Sequence, residues 1–541
     1  MIEFEHRLPS LNIDGRHNGT YNNHELGMPS VLTTTDHRLG DFLYELRRVV
    51  TDDRRLVLVD GRVLMCSINW IRDHVHQMKA FKHWEYNLGS FLNFILDTQS
   101  EEGFFYELIK QLDDYHWRFV NEDCRVLYPE DNVALVRLEI EADVEYLVVE
   151  GAVEYYQVTG DNAWLAKALP KLEKAIDYMT SSPKRWDAAH GLVKRAFTID
   201  TWDFAYGRPN DNRRIEDCTP MSIMHGDNSG VYQAMRQLAW CRRRFGDEEK
   251  AAEWDARAEL LRENMLRWLW NGRFFIHQLH LGHAGADGHE NERLSLSNGY
   301  DINRGVTDTE QSRAIIGEYL RRKESSGCFA EWFSIDPPYY PDFNGHPANT
   351  YVNGSISPFT AGELAKAAFR SGYEEYGWDI VRRCMDMMER DGTICFLYTR
   401  EDAKPVSVGS GPSGWGAAAL LSAVDEGLAG IVDLDVQYRV IDFSPRFPVT
   451  GYEELRYITG YESQNLLVDL RYILKEDGMR YDLYSPAHEI HAHVLLPRGR
   501  VCRRLLVDGR DAAFALSEVG GSVYADFTAA ADGKVSMELL F

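Results

Sequence analysis

Cysteine is scarce and scattered in this chain. Its eight cysteines (Cys66, Cys124, Cys218, Cys241, Cys328, Cys384, Cys395 and Cys502) show no C-x-x-C spacing, which argues against a disulfide framework or a zinc knuckle and leaves buried thiols. No window comes near the roughly 18 uninterrupted apolar residues of a membrane-spanning helix, and Met1–Arg7 lacks the apolar core of a secretory leader. The expectation is a soluble, cytoplasmic protein. A basic face is missing as well: 59 Lys and Arg stand against 84 Asp and Glu, a net charge of −25. Nucleic acid and anionic membranes need cationic surfaces, so neither is expected as a partner. Neutral or cationic small ligands are compatible with this charge.

Aromatic residues, by contrast, are plentiful. The 13 Trp and 28 Tyr within a composition that is 44% hydrophobic supply core material and flat faces of the kind that stack on sugar rings. At 541 residues one large domain and one smaller one are expected. Residues 1–55 read as a lead-in, with a helical pattern over 36–50. Arg55–Ser67 alternates about an Asp60-Gly61 turn as a hairpin, and a long helix is predicted from Trp70 to about Leu96. Three helix pairs then share one plan, an apolar 3.6-residue stripe on either side of a glycine turn, at Gly160-Asp161, Gly246-Asp247 and Gly372. Further helices are predicted near 309–322 and 414–429. Such pairs bury one face each and can close into a helical barrel over residues 56–437. Between them run long Gly-, Pro- and aromatic-rich segments, about 97–140, 183–225, 271–306, 325–358 and 391–413, expected to gather at one end and build a pocket. From about Val440 the pattern becomes period-two with Asp-Gly turns at 477, 508 and 532, a small antiparallel β-domain over 438–541 with an accessory role.

Several motifs on this frame resemble the six-hairpin, (α/α)6-barrel glycosidases: amylo-1,6-glucosidase, trehalase, processing α-glucosidase and glucoamylase. Trp70-Ile71-Arg72-Asp73 resembles their W-x-R-D sugar-binding segment. Thr201-Trp202-Asp203-Phe204 resembles the T-W-M-D and G-W-D-F segments whose Asp is the general acid. Tyr351-Val352-Asn353-Gly354 through Pro358 is similar to Y-x-N-G-x-x-x-P, and Gly414-Trp415-Gly416-Ala417 looks like the start of the closing barrel helix. The resemblance implies a mainly α (α/α)6 barrel with a C-terminal antiparallel β-sandwich. It implies inverting hydrolysis of an oligosaccharide or glycoside, with W-x-R-D pointing to a terminal gluco-configured residue, and no cofactor.

That chemistry needs a protonated acid and an ionised base about 6.5–9.5 Å apart. Asp203 is the candidate acid, its neighbours Trp202, Phe204 and Tyr206 being of the kind that keeps a carboxyl protonated. For the base the candidates are Glu401, in the segment before the closing helix, then Glu331, with Glu363 behind them; the L-P-E-L of debranching enzymes is absent. An inverting phosphorylase would need no base, its phosphate being held by donors such as the Gly409–Gly414 run. That run also fits G-x-G-x-x-G but follows no βαβ strand, and it reads most simply as the lead-in to a tightly packed helix. Substrate-binding candidates are Trp70, Arg72, Asp73, Glu141, Asp143, Trp202, His225, Asp227, Asn353 and Trp415. No metal is expected: His277, His280, His283 and His289 match no zinc spacing. A sugar epimerase or a non-hydrolytic carbohydrate-binding barrel is the competing class, with His74 and His76 as its paired histidines. The acidic surface fits a monomer or a homodimer.

Overall fold

The computed structural model describes residues 31–113, 120–199, 214–282, 288–343, 345–406 and 411–541. Among these residues twelve helices alternate between two roles. Six of them, α2 (Ile71–Phe81), α4 (Val144–Thr159), α6 (His225–Arg244), α8 (Ser297–Asn303), α10 (Pro358–Arg370) and α12 (Gly414–Ser422), each touch the next, and α12 touches α2, so that they form a closed ring. The other six, α1 (His37–Asp52), α3 (Ser90–Asp97), α5 (Asn162–Met179), α7 (Glu248–Trp268), α9 (Thr309–Ser325) and α11 (Glu374–Asp391), lie against the ring helices. Every outer helix therefore precedes an inner one. Helices α10 and α12 approach backbone to backbone: a Cβ on Gly362 would stand 2.4 Å from the Ala419 carbonyl carbon.

Connection lengths decide which end of the ring is which. Outer-to-inner links are long: residues 98–143, 180–224, 269–296, 326–357 and 392–413 each lead into the N-terminus of an inner helix. Inner-to-outer links are short, such as Gly160-Asp161, where Gly160 is left-handed and Asp161 caps α5 by accepting from the amides of Ala163 and Trp164. All the long segments thus meet at one end, the mouth, as the sequence suggests. The exception to the predicted helices is the stretch after Trp70. The single helix expected to Leu96 is two, α2 and α3, separated at Lys82–Gly89, where Glu85 accepts from the Asn87 amide and pairs with Arg54 at 2.8 Å. Strands Arg54–Val59 and Arg62–Ser67 form the expected hairpin. The inner helix α8 is too short and too polar for its periodicity to be visible.

The other end of the ring is closed by the C-terminal β-structure. A seven-stranded antiparallel sheet, which includes Thr33–Thr34 beside Glu454–Tyr461, faces a five-stranded one, with Phe443 of the second sheet 5.4 Å from Tyr481 of the first. The second sheet departs from the expected antiparallel pattern: Val440–Phe443 runs parallel to Glu489–Leu495. Arg47 of α1 grips Glu462 with two bonds of 3.1 Å. Asp425, in the π-helical turn Ala423–Leu428 that extends α12, accepts from the Tyr457 hydroxyl at 3.0 Å.

Burial, reinforced by the adjacent Glu426, raises the Asp425 carboxyl to about 7. The folded protein then holds a proton that the unfolded chain releases near pH 4, so this group's contribution to stability is full at low pH and falls away as the pH rises through 7. Asp425→Asn, which keeps the shape without the charge, is expected to gain stability relative to wild type by up to a few kcal/mol between about pH 4 and 8. Urea unfolding at several pH values reads this difference, and a pH-independent difference would reject it.

Candidate active site

The mouth is built from the first turns of the inner helices. Arg72 opens α2 and is 4% exposed. Its guanidinium donates to Asp143 from Nε and again from Nη2 at 2.8 Å, and to Glu141 Oε2 at 2.6 Å. Arg195, on a short strand ahead of α6, donates to the same Glu141 oxygen at 2.9 Å and to Asp227, on the first turn of α6, at 3.3 Å. Two arginines therefore hold three carboxylates, two ahead of α4 and one on α6, and Arg72 itself comes from the N-terminus of α2. Burial alone would raise the Asp143 carboxyl, but the charge and hydrogen bonds of Arg72 outweigh it and keep the group well below the usual carboxylate range. Glu141 Oε1 is buried with no hydrogen-bond partner, an acceptor for which a ligand hydroxyl is the natural donor.

Asp73 and Trp70 flank this network and are partly exposed. Burial pushes the Asp73 carboxyl up to about 7 despite the neighbouring Arg72, so it changes charge near neutral pH. Trp70 follows Ile68 and Asn69, both at positive φ (39° and 68°), a strained approach that is unusual for a β-branched residue and accompanies functional positions. The Lys110 ammonium sits 5.8 Å from the Trp70 ring centre. Below the charged network lies an aromatic floor. Trp415 stacks on His76 at 4.2 Å and on Phe359 at 4.7 Å, and its indole N–H donates to the Tyr300 hydroxyl at 2.9 Å.

Other candidates sit elsewhere. Trp202, Asp203 and His283 lie outside the described residues. The described residues on either side of Asp203's segment meet at the mouth: the Phe197 amide donates to the Pro220 carbonyl at 2.9 Å, and Arg195 is part of the network above. Glu331 is fully buried and faces outward: its oxygens take the Tyr376 hydroxyl at 2.5 Å and Arg383 of outer helix α11 at 2.7 and 3.0 Å. That placement makes it a structural anchor and removes it from contention as a base. Glu401 stands exposed on a turn, fastened through Arg400, which donates to the carbonyls of Gly354 and Ile335 and to Asp336. Asn353 is a loop strut, its amide group bonded to the Tyr339 amide and carbonyl and to the His346 carbonyl. His225 is buried with Nδ1 2.6 Å from Asp301 and Nε2 2.7 Å from Ser295 Oγ, so both nitrogens serve the protein. Glu363 pairs with Lys79 at 2.5 Å, below the aromatic floor.

The described residues named for two competing chemistries are engaged within the protein, and Gly409 and Ser410 of the glycine run lie outside the described residues. His74 packs outward, 5.4 Å from Phe91 of α3, whereas His76 points inward onto Trp415; residues two apart on a helix do not share a face, and the pair cannot act on one proton. At the N-terminus of α12 the Gly414 amide is taken by Asp53 at 3.0 Å and the Gly416 amide by Ser413 Oγ at 3.0 Å. An anion's place there is filled by a carboxylate, and a Cβ on Gly414 would come within 2.3 Å of it. His277 and His280 lie 3.5 and 3.1 Å from Glu290, and among the described residues no cluster is arranged for a metal ion. Arg195 and Asp53 carry no sequence signal: one lies in a two-residue strand, the other in a run of surface-like charges.

No protein-family model matches the chain, and no curated protein matches it in sequence. Among solved structures it is similar to the GH78 family rhamnosidase of Bacillus sp. GL1, with a TM-score of 0.56 and 16% identity over 86% of this chain and 43% of that one. It is similar as well to the α-L-rhamnosidase of Dictyoglumus thermophilum, with a TM-score of 0.56 and 11% identity over 95% of this chain and 51% of that one. A third likeness is to the Streptomyces avermitilis α-L-rhamnosidase complexed with L-rhamnose, at a TM-score of 0.55 and 14% identity over 94% and 42%. The chain thus spans about half or less of each of these proteins. At these identities the likeness is one of fold alone.

Proposed function

We propose that this chain is a glycoside hydrolase on an (α/α)6 barrel, inverting, and acting on the terminal gluco-configured residue of an oligosaccharide or glycoside. The division into a lead-in (1–55), barrel (56–437) and β-sandwich (438–541) belongs to the same reading, with α1 as the first outer helix. The observation that carries it is the mouth itself: Arg72, Glu141, Asp143 and Asp227 converge from three inner-helix N-termini beside the residues that flank the segment of Asp203 and leave Glu141 Oε1 without a donor. Carboxylates fixed by arginines accept sugar hydroxyls, and Trp70 offers a stacking face. Asp203 acts as the acid. The base is the carboxylate of Glu401, carried by the segment that enters α12, or of Asp73, already part of the mouth.

The deciding experiment follows product anomers by NMR on a panel of α- and β-linked disaccharides and aryl glycosides, with and without phosphate. Turnover without phosphate, giving an inverted product, is the expected result. A strict phosphate requirement would make the protein a phosphorylase, and a retained anomer would reject inversion. Between Glu401→Gln and Asp73→Asn, the variant that fails on activated and unactivated leaving groups alike identifies the base, since water must be activated in both cases.

A further inference from the structure

The ring is polar at both ends, and its second polar compartment takes no part in the reading above. Below the aromatic floor a cavity of about 190 Å³ lies where the ring meets the β-sandwich, with all six inner helices or their C-terminal ends contributing to its wall. Along the inner face of α2 and just beyond it, Arg72, His76, Lys79 and Lys82 mark the descent from mouth to cavity, about 15 Å at 1.5 Å per residue.

The lysines of this wall are paired, whereas several of its acceptors are not. Lys79 pairs with Glu363, Lys82 with Glu426 at 2.9 Å, and Lys366 with Glu426 and Ser422. Glu150 Oε2, Gln237 Oε1 and Asn303 Oδ1, on three different walls of the same space, have no hydrogen-bond partner. Among the described lining residues every orphaned atom is an acceptor, so an occupant has to donate. The lysines keep N–H groups beyond their ion pairs, so it can accept as well. An anion would meet the free oxygen of Glu150. A bare metal ion lacks its ligands, since no cluster of His, Cys, Asp or Glu among the described residues is arranged for one. The space holds about six waters, and Tyr300, Tyr438 and Tyr461 give it apolar surface.

We propose that this closed-end cavity binds a small neutral polyol of about three to six carbons, whose hydroxyls donate to Glu150, Gln237 and Asn303 and accept from the lysines. The inference stands apart from the glycosidase reading. Isothermal titration of the full chain with erythritol, xylitol and sorbitol tests it. Saturable one-to-one binding of at least one of them is expected, weakened tenfold or more by Gln237→Leu and by Glu150→Gln and unchanged by Asp73→Asn at the mouth. Gln233→Leu, one helical turn away on the same cavity wall, provides the reading if Gln237→Leu does not fold, as judged by circular dichroism. Absence of saturable heat with all three polyols overturns the proposal. So does binding that survives the cavity variants and is lost in Asp73→Asn, which would place the polyol at the mouth.

Discussion

Asp203→Asn is expected to lower kcat/KM on a disaccharide by about 10²–10⁴-fold, while a glycosyl fluoride or dinitrophenyl glycoside stays within about tenfold of wild type. The asymmetry follows from what the acid does. A sugar alkoxide leaves only if its oxygen gains a proton as the bond breaks, whereas fluoride and dinitrophenolate leave as stable anions and need none. Asn preserves the size of the side chain and its hydrogen bonding but has no proton to release. The flanks of Asp203, Trp202, Phe204 and Tyr206, are of the kind that raise a carboxyl pKa by excluding water. The described residues that flank it are joined by the Phe197–Pro220 hydrogen bond, next to the Arg195–Glu141–Asp227 network. Equal losses on both classes of substrate would assign Asp203 a binding role, and an unaffected disaccharide rate would remove it from the mechanism.

How far the sequence reveals this arrangement depends on what each element buries. Outer helices such as α5 and α11 carry one apolar face and one wet one, so their 3.6-residue period is plain, and their glycine turns mark the hairpins. The inner helices have no wet face. On α2 the stripe that points into the ring is Arg72, His76 and Lys79, polar residues that a periodicity argument assigns to solvent, and α8 spans only Ser297–Asn303. The same inversion affects the site. Arg72, Asp73, Glu141 and Asp143 were accessible through motif and position at helix starts. Arg195 and Asp53 acquire their roles only from chain segments that meet in three dimensions, and Glu331 looks as suited to catalysis in sequence as Glu401 until Arg383 is found holding it. Local patterning encodes elements and caps, whereas partners far apart in sequence are set by ring closure.

Arg72→Met is expected to destabilise the protein by about 3–5 kcal/mol, the cost of leaving buried charge without its partner. Arg72 supplies two bonds to Asp143 and one to Glu141 in a site where all three side chains are almost fully buried. Methionine fills much of the same space, so little of the loss is packing. Arg195 cannot take over Asp143, being committed to Glu141 and Asp227. The penalty carries a pH signature. In the wild type the Asp143 carboxyl is held well below the usual range, so its stabilising contribution is present above about pH 4 and is lost as the pH falls further, through its folded value. In the variant, burial without Arg72 raises the same carboxyl, which then takes up a proton in the folded state and recovers stability as the pH is lowered. The gap between the two proteins should therefore be widest near neutrality and should narrow towards pH 4. Arg72→Lys, which restores the charge without the two-pronged fork, should fall between them. Urea unfolding of the three proteins at pH 7 and pH 4.5 makes the comparison. A gap below about 1 kcal/mol at pH 7, of the size measured for exposed ion pairs, would mean that the mouth is solvated and that Arg72 does not organise it.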